Sequence, residues 1–219
     1  MGDKLKRGMV SGYLNRLNPE IIFLQETHLV GNRCGFLGRG RYRMIIHAGF
    51  STGARGVAVM VRKSLPFEVK HTWTDAGGPY AAVAGVLRGE MVTLASWFVP
   101  PVLQISTLRK LGDWLTQIPE SLLVLGGDLN LTMDGTEDRV IRGMAGDRGD
   151  QRLRTFTSAM GLSDIWRSEN PEKRQISYTA GSSGSMSRID YLLTQDYQRH
   201  RFRDTNILAR GISDPAPLV

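Results

Sequence analysis

An apolar run, Leu122-Leu123-Val124-Leu125, passes through Gly126-Gly127 into Asp128-Leu129-Asn130, so that a carboxylate and an amide close a strand two residues apart. Side chains two apart on an extended backbone share a face, and Asp128 and Asn130 are expected to converge on one small target. The arrangement recurs. Upstream, Ile21-Ile22-Phe23-Leu24-Gln25 ends in Glu26; downstream, Ser187-Arg188-Ile189-Asp190-Tyr191 and Ser213-Asp214-Pro215 carry two more acids beside short apolar strands. Carboxylates on separate strand ends suit phosphodiester hydrolysis. That reaction needs a cation on the non-bridging oxygens, a group that orients or deprotonates water, and something to stabilise the leaving oxygen. Magnesium takes a hard oxygen ligand or two and keeps several waters, so one main carboxylate is sufficient.

Taken singly, each residue has a plainer reading. Glu26 could be a solvated strand end, Asp128 and Asn130 an Asx-turn, and Asp190 a surface partner of Arg188. Taken together and in order, Leu24-Gln25-Glu26-Thr27-His28, Gly126-Gly127-Asp128-Leu129-Asn130, Ser187-Arg188-Ile189-Asp190-Tyr191-Leu192-Leu193 and Ser213-Asp214-Pro215-Ala216-Pro217-Leu218 resemble the motifs of the endonuclease/exonuclease/phosphatase superfamily. Their wording is most similar to the endonuclease domain of LINE-type retrotransposons, a relative of exonuclease III and the apurinic/apyrimidinic endonucleases. The resemblance runs from about the first helix to the last residue. It implies a Mg²⁺-dependent phosphodiester hydrolase that nicks DNA, with Mn²⁺ as a substitute ion. By that resemblance Glu26 is the main metal ligand with Asp214 beside the metal, Asp128 aligns and activates water, Asn130 holds water and phosphate, and Asp190 orients the family's histidine. Thr179, Arg188 and Ser213 are the candidates for contact with the substrate phosphate.

Three departures from the family pattern stand out. Nothing strand-like precedes the first helix, so the expectation is one domain, residues 1–219, truncated at its N-terminus and lacking the family's first strand with its Asn. Phe98-Val99-Pro100-Pro101 stands where the family has Tyr-Ala-Pro-Asn, which removes a phenol hydroxyl and an amide. Pro215 stands in the position of the Ser-Asp-His histidine, and a pyrrolidine cannot donate a proton or a hydrogen bond to a developing oxyanion. His28, His47, His71 and His200 are the histidines that could substitute. The rival reading is therefore an inactive relic that only binds nucleic acid or metal. An inositol-lipid phosphatase or sphingomyelinase shares the acids, but the basic balance of the chain counts against it.

Composition agrees with a nucleic-acid partner. The 219 residues carry a formal net charge of +7, and Lys and Arg that neutralise phosphates release counterions. DNA is the expected partner, with no membrane and no obligate protein partner evident. The single Cys34 excludes an internal disulfide and a Cys/His zinc set. No apolar stretch approaches the ~18 residues of a spanning helix, and the first residues lack the apolar core of a signal peptide, so the expected location is intracellular and nuclear. Gly143-Met144-Ala145-Gly146 and Gly181-Ser182-Ser183-Gly184 match a GxxG pattern but read as turns. Arg199-His200-Arg201-Phe202-Arg203 could track a phosphate backbone. There is no Walker A loop, complete G-x-G-x-x-G or G-x-S-x-G elbow.

Positioning these residues takes many short strands and a few helices. Val10, Tyr13, Leu14 and Leu17 mark a first helix closed by Asn18-Pro19. Strand 21–24 follows, and 41–47, 56–62, 67–73, 80–87 and 91–98 read as a meander of antiparallel neighbours. Pro100 and Pro101 break the last of these before a helical stripe from Leu103 to Ile118. Residues 134–150 look like an exposed loop. Leu153, Phe156, Met160 and Leu162 mark another helix with Gly161 as its C-cap, and 177–179, 188–194 and 205–208 are late strands. The expected class is α/β, a four-layer sandwich of two stacked, mainly antiparallel sheets flanked by helices.

Overall fold

A computed structural model describes residues 4–29, 40–49, 56–75, 77–140, 150–179, 185–208 and 217–219. Cys34, both GxxG segments, Ser213, Asp214 and Pro215 lie outside the described residues. The chain divides into two compact units, Met1–Phe98 with Ile118–Gly127, and Val99–Gln117 with Asp128–Val219.

In the first unit, helix α1 (Lys4–Leu17) ends where expected: Asn18 adopts a left-handed φ of 49° and its amide donates to the Leu14 carbonyl at 2.8 Å. Three strands, β1 (Ile21–Leu24), β2 (Tyr42–Ala48) and β3 (Val57–Arg62), form an antiparallel sheet in the order β1-β3-β2. Val57-Ala58-Val59-Met60-Val61 is the central strand and is covered on both faces, which is why it reads as one unbroken apolar run. Leu14 of α1 packs on its outer face with Ile22, Tyr42 and Met60, and the Tyr42 hydroxyl donates to the Leu14 carbonyl at 3.1 Å.

A second sheet holds β4 (Phe67–Thr74), β5 (Tyr80–Leu87) and β6 (Glu90–Phe98) as an antiparallel meander, with β7 (Leu122–Asp128) next to β6. The meander expected from 41 to 98 is thus split between two sheets. The break lies at Lys63–Pro66, where Leu65 turns back through an amide bond to the Arg62 carbonyl and buries its side chain between the layers. Ile46, Val57, Val59 and Val61 of one sheet meet Ala81, Val83, Val92, Leu94 and Phe98 of the other in a single core. Gly126 and Gly127 are required by close approach: a Cβ at Gly126 would sit 2.8 Å from the Phe23 ring, and one at Gly127 would sit 2.3 Å from the Trp97 carbonyl oxygen.

The second unit begins with a 3₁₀ turn, Pro101–Leu103, and helix α2 (Gln104–Leu115). Further along come β8 (Arg139–Val140), α3 (Gln151–Ala159), β9 (Leu162–Asp164), α4 (Ile165–Glu169), β10 (Tyr178–Thr179), β11 (Met186–Ser187), β12 (Asp190–Gln195) and a closing 3₁₀ stretch, Asp196–Arg201. β12 pairs antiparallel with β9, and β11 lies between β10 and β8. Asp150 caps α3 by accepting from the Arg152 amide, and Gly161 follows the helix at φ 59° as expected, but Leu162 belongs to β9 and not to the helix. The segment expected as an exposed loop from 134 is a tight turn into β8, and Asp138 within it is fully buried. Residues 205–208 contribute a single bridge, Ile207 with Leu218, over Trp166.

Candidate active site

Asp128 and Asn130 do come together, by a different route from the one the strand pattern suggested. β7 stops at Asp128, and Asn130 takes a left-handed φ of 49°, so the pair shares a turn and not a pleated face. The Asn130 amide donates to Asp128 Oδ1 at 2.9 Å, an Asx-turn. Asn130 Nδ2 donates to the Val99 carbonyl at 3.1 Å, Gln104 Nε2 donates to the Asn130 carbonyl at 3.2 Å, and the Val99 amide donates to the Asp128 carbonyl at 2.9 Å. The last three of these bonds fix the turn to the segment after β6.

Asp190 is built into the same unit at the start of β12. The Leu129 amide, between Asp128 and Asn130, donates to the Ile189 carbonyl at 2.9 Å, which ties the turn to the residue before Asp190. Asp190 is 8 % exposed, and its Oδ2 is buried with no hydrogen-bond partner among the described residues. Burial pushes its carboxyl up to about 6, opposed by a hydrogen bond from Ser177 and by the charge of Arg188. A buried carboxylate oxygen without a donor is costly, and it marks a position where a donor belongs. Thr179, also proposed as a phosphate contact, sits on β10 opposite Met186.

Arg188 is not available to a phosphate. Its side chain is 1 % exposed. Nε and Nη2 grip Asp138 at 2.9 and 3.1 Å, Nη1 donates to Asp164 Oδ2 at 2.6 Å, and the guanidinium lies 5.0 Å from the Trp166 ring centroid and 4.6 Å from that of Tyr191. Burial would lower its pKa, but Asp164, Tyr191 and Asp138 hold it above its ordinary value, so it is a permanent cation. Arg167 adds a second bond to Asp138 Oδ1 at 2.7 Å. The substrate contact expected of Arg188 is thus corrected to a buried tie between β8, β9 and the strand that carries Asp190. Asp138 and Asp164 were missed as partners. The one available signal was an acid inside the apolar run Leu162-Ser163-Asp164-Ile165-Trp166. Ser177, completely buried, gave no signal at all.

Glu26 stands on the first unit, just past β1. It is exposed and holds φ 48°, and His28 is exposed at φ 51°. Between them Thr27 is fully buried, its amide bonded to the Gly56 carbonyl at 2.9 Å and its hydroxyl 3.3 Å from His47 Nε2. Left-handed residues on either side of a buried anchor turn both neighbours outward. Gln25 Nε2 donates to Ser96 Oγ at 3.0 Å, and Ser96 Oγ donates to the Leu24 carbonyl at 3.0 Å, which fixes the strand end. Burial holds His47 below its ordinary pKa, so it stays a neutral anchor near pH 7. His71 lies on β4 and His200 in the closing 3₁₀ stretch, both exposed.

Among the described residues no three His, Cys, Asp or Glu side chains form a cluster. An outward carboxylate such as Glu26 fits an ion that needs one or two hard oxygens and retains its waters, which describes magnesium. Among the described residues no helix is long and apolar enough to cross a membrane.

Comparison with known proteins decides the family. The model of the Endonuclease/Exonuclease/phosphatase family matches residues 2–214. The chain belongs to this family. Over 97 residues it is 30 % identical to the Transposon TX1 uncharacterized 149 kDa protein of Xenopus laevis, a match covering 43 % of the chain and 7 % of that much longer protein. In structure it is similar to an AP endonuclease from Archaeoglobus fulgidus, at TM-score 0.72 and 18 % identity over 97 % of this chain and 92 % of the other. It is also similar to the endonuclease domain of TRAS1, a telomere-specific non-LTR retrotransposon, at TM-score 0.73 and 16 % identity over 99 % and 91 %. These likenesses establish the α/β sandwich of antiparallel sheets flanked by helices. Phe98, expected to stand where the family has a tyrosine, is 5 % exposed within the apolar core of the first unit.

Proposed function

We propose that the chain is a Mg²⁺-dependent phosphodiester hydrolase acting on DNA, a nicking enzyme of the exonuclease III type derived from a LINE-type retrotransposon and slowed by Pro215. The observation that carries this reading is the tie between the Asp128–Asn130 turn and Asp190 through the Leu129–Ile189 hydrogen bond, within a chain of this family. The net charge of +7 supports a polyanionic substrate, and a DNA substrate puts the place of work in the nucleus.

By the family resemblance Glu26 is the residue that would hold the metal, Mg²⁺ or Mn²⁺, and Asp214 is the second carboxylate proposed for it. A bound divalent ion there supplies charge neutralisation for the scissile phosphate. Asp128 accepts a proton from the attacking water as its oxygen closes on phosphorus, and Asn130 holds that water and a phosphate oxygen. Ser213 and Thr179 add phosphate contacts. As the bond from phosphorus to the leaving oxygen breaks, that oxygen must gain a proton or a hydrogen bond. Where the family places a histidine oriented by Asp190, this chain has Pro215, so solvent supplies the proton and the rate falls by ~10²–10⁴-fold.

The same proline favours a second reading, binding of nucleic acid or metal without turnover. Nicking of supercoiled DNA separates the two: slow conversion to open circles that depends on Mg²⁺ and on Asp128 supports the hydrolase, and retention of DNA without any conversion supports the binder.

A further inference from the structure

Three large apolar side chains stand in water where the second unit begins: Val102 is 84 % exposed, Leu103 43 % and Ile105 61 %. Exposed aliphatic residues scattered singly are ordinary, but three within four positions make a patch. They are not spare core, because α2 packs inward through another face, the one carrying Thr107, Leu108, Leu111 and Trp114. With Gln104, Arg109 and Arg152 they line an open cleft of about 340 Å³. Among the described residues no acid lines this cleft. Asp150 reaches Arg152 from outside it, accepting from Nε at 2.9 Å, and Arg109 is exposed, so the cleft carries net positive charge. Gln104 sets the cleft against the Asp128–Asn130 turn: its Nε2 donates to the Asn130 carbonyl at 3.2 Å while its Oε1 accepts from Arg152 Nη2 at 2.9 Å.

We propose that this cleft seats the DNA strand beside the scissile phosphate, with Val102 and Ile105 packed on the apolar faces of a sugar and a base and Arg109 on a backbone phosphate. The proposal rests on the DNA-hydrolase reading and adds to it a surface that holds the substrate. A nucleic-acid strand sets apolar ring faces and anions side by side, and aliphatic side chains edged by guanidinium groups are complementary to both. The same mixture of groups could meet an anionic membrane surface. Position favours DNA, because the Gln104 bond keeps the cleft at the turn that carries Asp128 and Asn130.

The test is fluorescence anisotropy of a labelled DNA duplex with the full chain, in EDTA so that nothing is cut, over a range of salt concentrations. The double substitution Val102→Ser, Ile105→Ser should weaken binding by about 10-fold with the salt dependence unchanged, since an apolar contact releases no counterions. Arg109→Gln should weaken binding and also lower the slope of log K against log salt by about 1, the signature of one lost phosphate contact. Both variants change exposed positions and should melt like wild type; if the double variant does not, Arg109→Gln carries the test. Wild-type affinity in either folded variant overturns the proposal. A wild-type chain that binds phosphatidylserine vesicles but not DNA assigns the cleft to a membrane surface and overturns the DNA reading with it. DNA that is bound through the cleft but never nicked when Mg²⁺ is supplied overturns the hydrolase reading alone and leaves the cleft its role.

Discussion

The backbone amide of Asn130 lies 2.9 Å from Asp128 Oδ1, so the carboxylate expected to activate water also closes the turn that carries its neighbour. The two duties separate by substitution. Asp128→Asn keeps an acceptor for the Asn130 amide and should melt close to wild type, whereas Asp128→Ala loses the turn and should be destabilised by about 1 kcal/mol. Both should lose nicking by ~10²-fold or more, because an amide accepts no proton from water. Thermal melts beside a nicking assay check this; an Asp128→Asn variant that nicks at the wild-type rate would leave the carboxylate with the turn alone.

Arg188 should matter for folding before anything else. Arg188→Met strands Asp138 and Asp164 as buried carboxylates with one cation between them, and breaking a buried pair costs ~3–5 kcal/mol. Arg174, paired with Glu137 at the exposed surface, is the control, and Arg174→Ala should leave the urea midpoint unchanged. Equal midpoints for the two variants would contradict the buried tie.

Stability should fall as pH rises through the titration of Asp190. Its folded-state carboxyl sits at about 6, above the ordinary value of 3.8, so between these values the folded state binds more protons than the unfolded one. The linkage slope is therefore negative: the stabilisation is complete below the unfolded value and lost by about pH 6. Urea unfolding from pH 4 to 7 should show this decline, and Asp190→Asn should flatten that part of the profile and be more stable near pH 7 by on the order of 1–2 kcal/mol. A decline of the same size in Asp190→Asn would assign it to another group.

Much of the fold was legible because its elements are punctuated locally. Asn18-Pro19 ends α1, the Pro100-Pro101 pair separates β6 from α2, and the strands of the first unit carry their own apolar runs. What local pattern could not show was partnership. The split of the meander at Lys63–Pro66 depends on which core Leu65 enters, and the burial of Asp138 depends on Arg188, fifty residues away in the chain. The site divides the same way. Glu26, Asp128, Asn130 and Asp190 stood out as acids and amides at strand ends, a feature of sequence. That Arg188 turns inward and that Ser177 accepts from the Ile189 and Asp190 amides are features of tertiary packing, invisible to periodicity.

Pro215 sets the expected ceiling on rate. Pro215→His should raise nicking by ~10²-fold or more if the remaining groups are in place, since it returns a proton donor for Asp190 to orient. The gain should vanish in Asp190→Ala, a coupling that a double-mutant cycle reads directly.

The most direct test of the central claim is Mg²⁺-dependent nicking of supercoiled DNA by the chain as it stands, with Glu26→Gln and Asp128→Asn beside it. The account predicts slow conversion to open circles that stops when the metal is chelated and is lost in both variants. Nicking that persists undiminished in Glu26→Gln and Asp128→Asn would contradict it.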